Sequence, residues 1–133
     1  MKISLTLLCV SFLLFGCDHS NKELKEHLIV ADSIAINYFK GDGTMDTVIT
    51  VKIISDKQLI GKIAGFISEA ELRENKSCGY DGSLHFFKNN MVIQDVDFRM
   101  NDEDCMRFTA KFMNKIVQTS LSADAKKLLQ AGK

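Results

Sequence analysis

Six short runs between Ser33 and Leu121 carry β-branched, aromatic and other apolar residues at every second position, and one stretch among them switches to helical spacing. Period-two alternation commits a chain to half-buried strands, because successive side chains point to opposite faces of a sheet. In the run Ser33–Lys40, Ile34, Ile36 and Tyr38 share a face. In Asp46–Ile54, Ile49, Val51 and Ile53 share one face, and Val48, Thr50 and Lys52 the other. Gly41-Asp42-Gly43-Thr44 separates the two runs as a turn cluster. It lacks the carboxylate offsets of a calcium loop and the Lys-Ser/Thr of a phosphate loop. Met106, Phe108, Ala110 and Phe112 alternate with Arg107, Thr109 and Lys111, and Asn114-Lys115 fits a two-residue turn that pairs Phe112 with Val117.

The helical stretch begins at Ser55-Asp56-Lys57-Gln58, where Ser55 can cap, Asp56 suits the positive helix end and Gln58 completes a capping box. Leu59, Ile60, Ile63, Phe66, Ile67 and Ala70 then form one apolar face, and the spacing predicts a helix that frays at Glu74-Asn75-Lys76. Gly61 and Gly65 each cost such a helix about 1 kcal/mol, which predicts a close approach to the sheet at these positions. Ser122 caps a final helix over 123–131, with Leu128 and Leu129 inward. The order β-β-α-β-β-β-β-α with short connections predicts an α+β domain: an antiparallel sheet of about six strands, one face packed by helices.

The second hairpin carries the candidate functional residues. Leu84 and Phe86 share one face with Val92, Val96 and Phe98, provided that Asp95 and Asp97 stay on the other, since burying unpaired carboxylates is expensive. A three-residue loop, Lys88-Asn89-Asn90, meets that condition by pairing Phe86 with Val92. The opposite face then carries His85, Phe87, Met91, Ile93, Asp95 and Asp97.

Ahead of the domain, Lys2 precedes an uncharged run from Ile3 to Phe15 that is too short to span a bilayer. It fits the apolar core of an export signal and ends in Leu14-Phe15-Gly16-Cys17. This segment resembles the lipobox of bacterial lipoproteins, with Leu14 at minus three, Gly16 at minus one and Phe15 departing from the commoner small residue at minus two. The resemblance implies a signal peptide over 1–16, cleavage before Cys17, and lipid on the Cys17 thiol. Residues 17–31 are expected to be the lipidated N-terminus and tether, and residues 32–133 a single domain. The chain has 17 basic and 17 acidic residues, and loss of Lys2 leaves 16 against 17. A net charge of −1 provides no field for nucleic acid.

Export also sorts the four cysteines. Cys9 is lost with the signal, Cys17 takes lipid, and Cys78 and Cys105 are expected to pair in a disulfide-permissive compartment. No cofactor or metal is expected. Asp102-Glu103-Asp104 reads as a solvated turn, and a metal site at the two cysteines would need further ligands.

No nucleophile motif, zinc-protease motif or phosphate loop is present. The expectation is a membrane-tethered envelope lipoprotein, facing the periplasm or the cell surface, that acts as a non-catalytic binding or inhibitor module. Its partner is expected to be an envelope protein, docked at Phe87, Met91, Ile93, Asp95 and Asp97. The alternative is a small hydrolase-type enzyme using Asp95, Asp97 and His85. Metabolic labelling with a palmitate analogue should mark the native protein, and Cys17→Ser should lose both label and membrane fractionation. Label retained on Cys17→Ser would refute the lipobox reading.

Overall fold

A computed structural model describes residues 21–45 and 47–132; the expected signal peptide over 1–16, Cys17 and the start of the tether lie outside the described residues. Six strands form one antiparallel sheet in the order β2-β1-β3-β4-β5-β6: β1 (Ser33–Tyr38), β2 (Thr50–Ile54), β3 (Gly82–Lys88), β4 (Met91–Arg99), β5 (Arg107–Phe112) and β6 (Lys115–Ser120). Three helices, α1 (Lys22–Ile29), α2 (Lys57–Ile67) and α3 (Ala123–Gln130), pack against it. The α+β class, the strand number and the order of elements after residue 32 are as the alternation predicts. Ile34, Ile36, Tyr38, Leu84, Phe86, Val96, Phe98 and Phe108 meet Ile60, Ile63 and Ile67 in one core. Each such side chain removed from water stabilises the fold by about 1.5–3 kcal/mol before the entropy of ordering is counted. Among the described residues no helix is long and apolar enough to cross a membrane.

The segment expected to be a tether is in part a helix of the domain. Asn21 caps α1 by accepting from Leu24 N (3.0 Å), and Leu24, Leu28 and Ala31 are buried in the core. The three- and four-residue spacing of these apolar positions decides the matter, because it gives the helix a face that packs against α2. The domain therefore takes in residues 21–31.

The second hairpin reaches its register by another route than a longer loop. Asn89 and Asn90 both have positive φ and form a two-residue turn, so Lys88 pairs with Met91 and Phe87 with Val92. A bulge at Ile93 then inserts one extra residue, and the ladder resumes as Phe86–Gln94, His85–Asp95, Leu84–Val96 and Ser83–Asp97. Without the bulge, Asp95 would face the core. In the last hairpin the turn is Met113-Asn114, one residue earlier than expected, which pairs Ala110 with Val117 and Phe112 with Lys115. That register differs from the expected one by two residues, so every side chain keeps its face.

The chain leaving α2 departs most from expectation. Asp56 is the cap, accepting from Leu59 N (2.8 Å), and the helix stops at Ile67 rather than fraying near Glu74. Ser68 Oγ donates back to Ala64 O (2.7 Å), and Thr119 Oγ1 donates to Ile67 O (2.5 Å), so the last carbonyls are satisfied from outside the helix. Residues 70–72 then lie along the free edge of β6, where Glu71 bridges Thr119. Residues 73–81 form a strap across one end of the sheet's other face. The Cys78–Cys105 disulfide fastens it. Closing a loop of sequence separation 27 stabilises the fold by about 3.5 kcal/mol in the chain-entropy model.

Gly61 and Gly65 do not mark a close approach, since a Cβ built at either would meet nothing within 4 Å. Gly61→Ala and Gly65→Ala should each therefore stabilise the protein by about 0.5–1 kcal/mol through the unfolded chain's lost freedom. Denaturant unfolding checks this, and a loss of stability in either variant would show that the glycine is needed.

Candidate functional site

Helices cover one face of the sheet; among the described residues the other is open apart from the strap. Antiparallel partners share a face, so the registers define rows that cross the open side. One row runs Val51–Asn37–Ser83–Asp97–Thr109–Gln118 through all six strands, and beside it runs Ile53–Ala35–His85–Asp95. A polar centre thus lies between apolar flanks. Val51 and Ile53 on β2 are 56% and 63% exposed, Val92 on β4 is 48% exposed and Ile116 on β6 is 47% exposed.

His85 stands at the middle of the polar centre. Its Nδ1 lies 2.5 Å from Asp95 Oδ1, and its Nε2 lies 3.1 Å from both Ser83 Oγ and Asn37 Nδ2. An amide N–H can only donate, so Nε2 accepts and the proton sits on Nδ1, which donates to Asp95. Ser83, His85 and Asp95 thus stand in the hydrogen-bonded order that a nucleophile, a base and an orienting acid take in acyl transfer, with the single Nε2 lone pair shared between Ser83 and Asn37. Two features oppose acyl transfer. The Ser83 residue is 6% exposed, and its cross-strand partner is Asp97, whose charge opposes the oxyanion that attack would create.

Asp97 is the titratable group of that row. Burial, reinforced by the neighbouring Asp95 charge, pushes its carboxyl above the ordinary carboxylate range, and His85 acts weakly in the other direction. It lines a hollow of about 410 Å³ with Tyr80, Val92, Asp95, Thr109, Lys111 and Ile116. Tyr80 comes from the strap. Thr109 is 7% exposed, and its Oγ1 is buried with no hydrogen-bond partner among the described residues. Farther under the strap, Arg107 Nη1 donates to Gln118 Oε1 (2.7 Å), and the Gln118 side chain exchanges hydrogen bonds with the Lys76 backbone. These bonds close that end of the face.

The structure groups the expected site residues only in part. His85, Asp95 and Asp97 come together, and Phe87 lies farther along the same face, paired with Val92. Met91 does not belong to the group, since the two-residue turn pairs it with Lys88 on the opposite face, and Val92, expected on the core face, takes its place across from Phe87. Ile93 is the bulge residue; it lines the hollow beside Asp95 and Asp97, packs in part against the core, and its carbonyl accepts from His27 Nε2 at 3.0 Å. Cys78 and Cys105 are bonded to each other. Ser83 was within reach of sequence reasoning, two residues before His85 on one strand face. Asn37, Thr109 and Tyr80 had no local signal, because strand order and the strap bring them in.

A carboxyl held above its ordinary range binds its proton more tightly in the folded chain than in the unfolded one. Stability therefore falls as pH rises from the ordinary carboxylate range through the folded value. Asp97→Asn removes that loss and should raise Tm at neutral pH, with the gain vanishing in acid. A thermal melt series across pH checks it; a lower Tm at neutral pH would refute the assignment. No protein-family model, curated protein or solved structure matches this chain, so the role of the face is argued from its chemistry.

Proposed function

We propose that this chain is a membrane-tethered envelope lipoprotein that acts as a non-catalytic binding or inhibitor module, with the open sheet face as its docking surface. The exposed apolar flanks carry the reading. An antiparallel sheet that faces water on one side ordinarily presents polar residues there, whereas Val51, Ile53, Val92 and Ile116 are left out of the core. Exposed large apolar residues collected on one sheet face mark a surface that is covered in use. Lipid on Cys17 would hold the module at a membrane, where an envelope protein is the partner within reach.

The reading is tested by placing a photo-crosslinking residue at Ile53, Val92 or Ile116, and at Gln130 on α3 as a control, in living cells. The open-face positions should yield a discrete crosslinked protein that Gln130 does not. Val51→Asp should remove it with Tm unchanged, because that side chain contributes little to the core. Equal crosslinking from both faces, or none, would overturn the proposal.

The hydrogen-bonded chain Ser83–His85–Asp95 favours a second reading, a small envelope hydrolase. In that case Ser83→Ala and His85→Ala would abolish turnover of an activated ester, and Val51→Asp would spare it.

A further inference from the structure

We infer that the hollow between β4 and β5 receives an arginine side chain of the docked partner. This rests on the reading of the open face as a docking surface and names the chemistry of what enters it. Asp95 and Asp97 lie two residues apart on β4 and line the same hollow, which contains one lysine, the exposed Lys111. The Thr109 hydroxyl is the second, independent sign of an occupant. It is more than nine-tenths buried, it lines the hollow, and it has no hydrogen-bond partner among the described residues. A buried hydroxyl left unmatched is costly, and a donor that reached it would relieve that cost.

The arrangement discriminates among donors. Asp97 and Thr109 are cross-strand partners, so two acceptors on adjacent strands face one ligand. A planar guanidinium with five N–H groups can serve both at once, whereas an ammonium is a compact point charge. Tyr80, Val92 and Ile116 wall the hollow with an aromatic ring and aliphatic groups, which suit the methylene stem and the flat cation. A volume of about 410 Å³ falls in the range of ordinary ligand sites, about 300–1,000 Å³. A cation beside Asp97 also offsets the repulsion from Asp95, which a neutral ligand does not. The ionisable groups around the site are Asp95 and Asp97 of β4, His85 of β3, Lys111 of β5 and Tyr80 of the strap. Occupancy should therefore weaken as pH falls through the Asp97 titration.

The test titrates N-acetyl-arginine amide into the detergent-solubilised full-length lipoprotein and follows backbone amide NMR shifts. N-acetyl-citrulline amide serves as the neutral isostere. Saturable shifts should centre on Asp97, Thr109 and Tyr80, and citrulline should bind weaker by roughly tenfold or more. Asp97→Asn, still folded by its melting curve, should lose the arginine preference. Equal binding of the two probes, shifts centred elsewhere, or no saturable shift would overturn the inference. If crosslinking from Val92 survives while the arginine probe fails, the docking surface stands and only its cationic occupant is rejected; loss of both rejects the surface itself.

Discussion

The buried carboxylate of Asp81 is the interaction on which the placement of the site depends. It is 0% exposed and accepts from Arg99 Nη1 (2.5 Å), Met100 N (2.7 Å) and Asn101 N (2.9 Å). Its own backbone donates to Phe98 O and accepts from Phe39 N. One residue thus ties the start of β3 to the ends of β1 and β4. Breaking a buried pair of this kind costs about 3–5 kcal/mol, since the remaining charge stays out of water. Ser83 and His85 lie two and four residues further along the same strand, so their positions follow from this anchor.

The strap is held at the same corner. Gly79 has φ +70°, and a Cβ there would collide with the Gly43 carbonyl oxygen. Gly43, itself at φ +88°, lies against the Arg99 guanidinium. Two glycines thus let the strap, the β1–β2 loop and the Asp81–Arg99 pair approach one another more closely than side chains would permit. The adjacent disulfide keeps Tyr80 over Asp97 and Thr109. The strap is thereby both a cross-link and one wall of the hollow.

The bulge at Ile93 reconciles two local preferences that conflict. Asn89-Asn90 favours a tight two-residue turn, because asparagine tolerates the positive φ that such turns require. That turn alone would carry Asp95 into the core. The extra residue shifts the strand by one position and returns both aspartates to the open face. Ile93 meanwhile finds apolar contacts of its own. Beside His85 the displaced carboxylate gains a hydrogen-bond donor; Asp97 gains none comparable and remains desolvated next to its neighbour. The least satisfied part of the face is therefore the part best suited to a ligand.

What the sequence alone determined was local in origin. Strand alternation, the Ser122 cap and the segregation of aspartates from Leu84 and Phe86 follow from side-chain period, capping chemistry and the cost of burying charge, each acting within a few residues. The cysteine pair was legible for a different reason, since export would leave Cys78 no partner but Cys105. Tertiary structure decided the rest. Helix α2 ends at Ile67 because Thr119 captures its carbonyl from a strand more than fifty residues away. Leu24, Leu28 and Ala31 stand at helical spacing in a segment expected to be a tether, and packing against α2 makes that face part of the core. Asn37, Ser83, Asp97 and Thr109 form one row because four strands align in a particular order and register. No residue's own neighbourhood encodes that order: it is chosen by the burial of a whole sheet face at once.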